Sequence, residues 1–334
     1  MKVVQVLLFL LASCGLCTSD KCHDMSGLKK GDSCHQHWGK LKWRMHPTQP
    51  QLGYSWALQK HSEHMGSEAE AQDELDEKPI PVCLGPANDA WLLDHHHLLA
   101  ALDYSGYFDV SVTINVVCVF DPSMDMQTFW KKMVDEKGVF NYASPDPATD
   151  ALYKEIDFTA LPNVIFFNTT ASSLINDNWR SLAGFGRKLS SDSCAVKYCD
   201  RTFIKTCDSD GDSIPFFEFR WGYFFNQAFL EPEKLWNGDM DAFRNFSKVY
   251  NNLKGLIGIP GARDRSTVDL PAWTEAARLL LPVARGNSAG TYTLQGSAPA
   301  VLYGKLPGYH RGMGPIDGRD PSCNPPRCRV DAYL

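Results

Sequence analysis

The longest strand-like pattern in the chain is "VSVTINVVCVF" at residues 110–120. Val110, Val112, Ile114, Val116, Cys118 and Phe120 alternate onto one face, as residues two apart do on a strand. The second half of this run is apolar on both faces, which predicts an interior position in a sheet. "KPIPVCLG" (78–85) reads as a strand closed by a Gly-Pro turn, and "AWLLD" (90–94) as a second short strand. From His95 the period changes. Leu98, Leu99, Ala101 and Leu102 cover one side of a helix that Gly106 ends. Met126, Phe129, Trp130, Met133 and Val134 form a second helical stripe, with Ser123 or Asp125 as its cap. Pro47 and Pro50 make an extended entry to a third stripe that Leu52, Trp56 and Gln59 begin.

Acidic residues crowd 67–77, a solvated helix or loop. Beyond residue 140 the pattern is mostly helical. Helices are predicted over 179–188, with Asn178 as cap, and over 216–228, 241–253 and 271–281, the last opening on a proline. The expected fold class is α+β: a small mixed β-sheet with packed helices, followed by a mostly helical second half. From about residue 286 to 334 the chain is rich in Gly, Pro and Ser without periodicity, an irregular tail.

The N-terminus departs from this pattern. Lys2, an apolar run over 3–12 and small residues to Ser19 read as a secretory signal peptide, with cleavage expected near residue 18. The run is too short to span a bilayer, so no membrane attachment is expected after cleavage. Secretion makes cysteine pairing the expectation. Cys22 with Cys34 tie an arm over 19–44, and the groups Cys194, Cys199, Cys207 and Cys323, Cys328 suit disulfides. Cys83 and Cys118 lie in apolar runs and read as buried thiols. Asn168 and Asn245 begin N-glycosylation sequons.

Net charge is −6, with no basic footprint for a phosphate backbone, which moves the reading away from nucleic acid. The chemistry concentrates instead in "LLDHHHLLAAL" (92–102), where Asp94, His95, His96 and His97 stand between a strand and a helix. A helix start exposes free N–H groups and the positive end of the dipole, a ready anion site. Three consecutive histidines point in different directions, so at most two would converge on one metal ion. Anion binding, helix capping and a two-histidine metal site all remain open on the residues alone. His61 and His64, around Glu63, read as exposed helix side chains.

The order of these features resembles a known family. "HPTQPQLGY", a helix, an acidic connector, "KPIPVCLG", "WLLDHHHLLAAL", "WRSLAGFGR" and "PFFEFRWGYFF" are similar to the ParB-like nuclease branch of the ParB/sulfiredoxin superfamily, over residues 45–285. The sheet-bearing half would be 45–140 and the helical half 141–285. The resemblance implies nucleotide or phosphate binding at the strand-to-helix box. Asp94, His96 and His97 match the Asp-Gly-His-His-Arg box of related free-serine kinases. His95 stands where glycine is usual, and Leu98 replaces the arginine, removing a bidentate phosphate clamp. Cys83 does not match the sulfiredoxin cysteine.

The same resemblance places Thr48 and Gln49 near the phosphate box. Arg180, Glu218 and Arg220 lie in its second-half motifs, where they supply the cation or carboxylate missing from the first half, or only dock helices. His96, His97 and Glu218 are the catalytic candidates; Thr48, Gln49, Asp94, His95, Arg180 and Arg220 are the ligand-binding ones. Asp208, Asp210 and Asp212 alternate in an oxygen-rich loop suited to calcium, though not in EF-hand spacing. The expected partner is a phosphorylated small molecule or a nucleotide, the latter with Mg²⁺, for phosphoryl transfer or phosphodiester hydrolysis. The competing expectation is an extracellular binding or structural module that has lost the chemistry.

Overall fold

A computed structural model describes residues 21–135, 138–139, 142–143, 154–157, 164–167, 173–191, 217–236, 238–254 and 269–288. The signal segment, the loop carrying Asp208, Asp210 and Asp212, the sequon at Asn168 and the cysteines from Cys194 onward lie outside the described residues.

The first half runs β1 (Ser33–His37), α1 (Trp38–Leu41), β2 (Met45–Pro47), β3 (Gln51–Leu52), α2 (Tyr54–His64), α3 (Glu68–Glu77), β4 (Ile80–Leu84), β5 (Ala90–Leu92), α4 (His96–Ser105), β6 (Ser111–Val119) and α5 (Met126–Asp135). It continues with β7 (Tyr142–Ala143), β8 (Lys154–Glu155), β9 (Val164–Phe167) and β10 (Ser173–Asn176). Then come the helices α6 (Asn178–Ser191), α7 (Phe217–Leu230), α8 (Pro232–Leu235), α9 (Met240–Lys254) and α10 (Leu270–Ser288). The class is α+β as the periodicities require, with a mostly helical second half.

Five strands form a mixed sheet in the order β1-β6-β4-β5-β2. Strand β4 is central and buried along its whole length, because helices cover both faces of the sheet. Its neighbours β6 and β5 run parallel and antiparallel to it. At one edge β1 pairs antiparallel with β6, and the Cys22–Cys34 disulfide fastens the segment before it. Residues 21–44 are therefore more than a tied arm. Trp38 and Leu41 are buried in the main core beside Leu98, Leu102 and Val112.

The alternation along β6 breaks near its end. Val116 pairs with Val82, and Cys118, not Val117, pairs with Cys83. This extra residue brings the two cysteines opposite each other, with Cα atoms 4.6 Å apart, and they form a disulfide. The expectation of buried thiols is corrected: a one-residue bulge is invisible to a period-two pattern. Around the bond lie Trp91, Leu93, Val117, Phe129, Trp130 and Met133, where the α5 stripe lands on the sheet. Asp125 is the α5 cap, accepting from the Thr128 N–H at 2.9 Å.

A second, parallel sheet of order β3-β10-β9 carries the chain across to the helical half. Helix α6 packs on α2 so closely that a Cβ at Gly184 would lie 2.4 Å from Trp56, and one at Gly53 would lie 2.6 Å from the Ser181 nitrogen. Glycine at both positions is what lets the two halves touch. The cap of α6 is Asp177 rather than Asn178, accepting from the Arg180 N–H at 3.0 Å. Aromatic side chains of α6, α7, α9 and α10 fill the second core: Trp179, Phe185, Phe224, Phe246, Tyr250 and Trp273. Helix α10 is longer than predicted at both ends. His61 is buried edge-on against Tyr104, correcting its reading as exposed, while His64 sits half-buried between Glu63 and Glu74. None of the helices among the described residues is long and apolar enough to cross a membrane.

The Cys83–Cys118 bond closes a loop of 35 residues. Loop-closure entropy for that length is about 3–4 kcal/mol. Reduction of the wild type, or the Cys83→Ala/Cys118→Ala pair, should lower unfolding free energy in a denaturant titration by roughly that amount. An unchanged midpoint in both would show that the bond adds nothing.

Candidate functional site

The box is built by two parallel strands that end together. Pro47 of β2 pairs with Leu92 of β5, so the segment after β2 and the segment after β5 leave the sheet side by side. The Thr48 hydroxyl donates to the Leu92 carbonyl. Thr48, Gln49 and Gln51 are fully buried, an unusual place for three polar side chains in a short loop.

His95 caps α4 in the left-handed conformation, at φ 67°. Glycine would meet that requirement at no steric cost. The Asp94 carboxylate accepts the His95 N–H at 2.6 Å and helps hold the turn. His96 and His97 then open the helix. Leu98 points into the main core and offers the site no charge.

The two histidines face the loop that follows β2. The Thr48 N–H donates to His96 Nε2 and the Gly53 N–H donates to His97 Nε2, both at 3.3 Å. A backbone N–H only donates, so each Nε2 accepts, and each neutral ring carries its proton on Nδ1. Burial pushes both imidazoles well below their ordinary value, and for His97 the charges of Arg180, Lys60 and Arg187 add to it. His95 is also lowered, by burial against the opposing charge of Asp94.

The second half brings a charge cluster to this face. Glu218, near the start of α7, is buried. Its Oε2 lies 3.2 Å from Arg180 Nη2 and 3.8 Å from His97 Nδ1, and its Oε1 lies 3.0 Å from Arg187 Nη1. Burial pushes the Glu218 carboxyl up, but Arg180 and Arg187 outweigh it and hold it below the ordinary glutamate value. The Arg180 guanidinium also stacks on the Phe219 ring at 3.9 Å. Among the described residues its Nε and Nη1, both buried, meet no hydrogen-bond partner, nor do Gln49 Oε1, Ser55 Oγ and Ser181 Oγ. Buried polar atoms are nearly always paired, so these orphans, like Trp91 Nε1 and Trp179 Nε1 elsewhere in the fold, call for an explanation such as a bound molecule or water.

Thr48, His96, His97, Arg180 and Glu218 thus converge through a chain of contacts. Gln49 shares their loop, its Nε2 bonded to the Gln51 carbonyl at 2.8 Å. Asp94 and His95 stand at the helix start as turn-forming residues. Arg220 lies on α7, with its side chain outside the described residues. Asn245 is exposed on α9. No group of three or more His, Cys, Asp or Glu side chains suited to a metal occurs among the described residues.

Two cations escaped the sequence reading. Arg187 stands seven residues after Arg180, two helical turns on the same face of α6, and that spacing was available in the sequence. Lys60, on α2 over the Trp56 ring, is lowered by burial and then by the charge of Arg187. No local pattern marks it.

A profile of the family described as "Putative ParB-like nuclease" matches residues 43–227. The match spans more than half of the chain. The chain belongs to this family. Residues 43–227 include both the box and the buried Glu218, so the site is assembled within the family region. Among solved structures, the crystal structure of protein Atu1540 from Agrobacterium tumefaciens is similar at 22% identity and a TM-score of 0.44, covering 67% of this chain and 92% of that one. No curated protein matches.

The buried neutral histidines make stability depend on pH. Their folded-state values are depressed below 6.5, so the unfolded chain binds more protons in acid. Stability is full above about 6.5 and falls as pH drops below it, by up to about 1.4 kcal/mol per pH unit for each histidine. Replacing His96→Gln and His97→Gln keeps an acceptor for both N–H groups and removes the titration. Denaturation midpoints between pH 5 and 6.5 should flatten in the double variant. A slope equal to that of the wild type would refute the neutral-pair assignment.

Proposed function

We propose that this family member binds a phosphorylated small molecule or a nucleotide at the Asp94–His97 box and acts in phosphoryl transfer or phosphodiester hydrolysis. The observation that carries the reading is Arg180: a buried guanidinium with two nitrogens unpartnered among the described residues, beside the box whose own arginine position holds Leu98. An anionic oxygen satisfies such donors, and charge-assisted bonds of this kind are about twice as strong as neutral ones. Arg187 and Lys60 add positive charge. The first turn of α4 contributes backbone N–H groups and the helix dipole. Asp94, half-buried, is the carboxylate available to a Mg²⁺ ion carried in by a nucleotide.

In this mechanism Glu218 stays ionised at neutral pH and accepts the proton of an attacking hydroxyl or water, while Arg180 stabilises charge on the phosphoryl oxygens. His96 and His97 hold the Thr48–Gly53 segment in place through their Nε2 atoms and are donors rather than bases at Nδ1. The acidic net charge favours a small ligand over a nucleic-acid backbone. The signal-like N-terminus and the two disulfides support work outside the cell.

A second reading has its own support. Both histidine lone pairs at Nε2 are already engaged and Leu98 is apolar, which suits a site that binds without turnover.

Thermal-shift and calorimetric titrations with inorganic phosphate and with nucleotides, with and without Mg²⁺, test the binding. At one hundred times the dissociation constant the gain is about 2.7 kcal/mol. Arg180→Met should abolish it and Arg244→Ala, on the exposed face of α9, should not. No shift with any of these probes would defeat the proposal.

Turnover is tested separately with bis(4-nitrophenyl) phosphate. Glu218→Gln should lower kcat by about a hundredfold or more if the site is catalytic. Phosphate binding without measurable turnover in the wild type would select the second reading.

A further inference from the structure

We infer that the ligand carries a hydrogen-bond donor, a hydroxyl or N–H, next to its phosphoryl group, and that Gln49 reads it. The inference rests on the anion site proposed above and narrows its ligand class. Gln49 is fully buried. Its Nε2 donates to the Gln51 carbonyl at 2.8 Å, which settles which way the amide faces, because the Oε1 atom would repel that carbonyl. Oε1 is therefore the other end, and it has no partner among the described residues.

The other orphans at the site differ in kind. Arg180 Nε and Nη1 are donors, satisfied by phosphoryl oxygens, and the Ser55 and Ser181 hydroxyls donate or accept as needed. Gln49 Oε1 only accepts. A bare anion would satisfy the arginine and leave the amide oxygen unpaired in the interior, at a cost in free energy. The segment holding Gln49 is fixed at both ends, by the Thr48 N–H on His96 and the Gly53 N–H on His97. It is fixed further by the Ile175 N–H on the Pro50 carbonyl at 3.2 Å and the Asp177 N–H on the Leu52 carbonyl at 2.8 Å. The acceptor is thus held in place before ligand arrives. A site built to pair a substrate hydroxyl rejects the analogue that lacks it more strongly than an apolar pocket rejects a missing methylene.

Matched ligand pairs test this in the full chain by calorimetry: glycerol 3-phosphate against propyl phosphate, and ribose 5-phosphate against cyclopentylmethyl phosphate, with inorganic phosphate as the common reference. The wild type should favour the hydroxylated member of at least one pair by about tenfold or more. Gln49→Met should erase that preference, so that both members of the pair bind within about twofold of each other. Equal affinity within both pairs in a wild type that binds phosphate overturns the inference and leaves the anion site standing. Failure to bind inorganic phosphate or any of the four esters overturns both. A preference that survives intact in Gln49→Met assigns the donor to another group and also overturns the role of Gln49. The wild-type comparison decides the ligand class even where the variant does not fold.

Discussion

Glu218 is a carboxylate taken out of water, and its charge is tolerable there only because Arg180 and Arg187 of α6 stand against it. Removing one member of such a buried set leaves an uncompensated charge and typically costs several kcal/mol. That requirement fixes α7 to α6, and the seat of α6 on α2 through Gly53 and Gly184 fixes both helices to the sheet-bearing half. The third neighbour of Glu218 is His97, at 3.8 Å, so the same carboxylate reaches the helix start that carries the box. The helical half thus supplies Arg180, Arg187 and Glu218, and the sheet-bearing half the histidines and the loop they hold.

The histidines hold the site as much as they line it. Each uses Nε2 to accept a backbone N–H from the segment between β2 and α2, so the loop and the helix start behave as one rigid piece. Burial keeps both rings neutral, which preserves the acceptor that the loop needs. Tyr54 acts in the same sense on the other side. Its hydroxyl donates to the Leu174 carbonyl at 2.6 Å, and burial pushes its pKa up to about 12, so that it remains a donor. Polar groups of this kind, paired and shielded, position a site without costing it charge.

Much of this was legible along the chain. The period-two run at 110–120, the helical stripe from Met126 and the strand-to-helix change at His95 appear where the structure has β6, α5 and the start of α4. The box residues, Thr48, Arg180 and Glu218 were all visible as motif members. Less visible were features made by contacts far apart in sequence. The Cys83–Cys118 bond depends on a one-residue register shift, and the burial of His61 depends on Tyr104 of another helix. Lys60 shows no local signal, because its environment comes from Arg187, Lys78, Glu74 and Glu218.

By itself, then, the sequence determined which segments are strands and helices, because periodicity, caps and turn residues act over a few residues. It also determined that a strand-to-helix junction would present Asp94, His96 and His97. Only the tertiary structure decided what those groups do. Whether a histidine accepts or donates, whether a glutamate is ionised, and whether an amide oxygen is left without a partner all depend on neighbours brought in from other elements, since burial and charge are properties of the packed interior rather than of the residue.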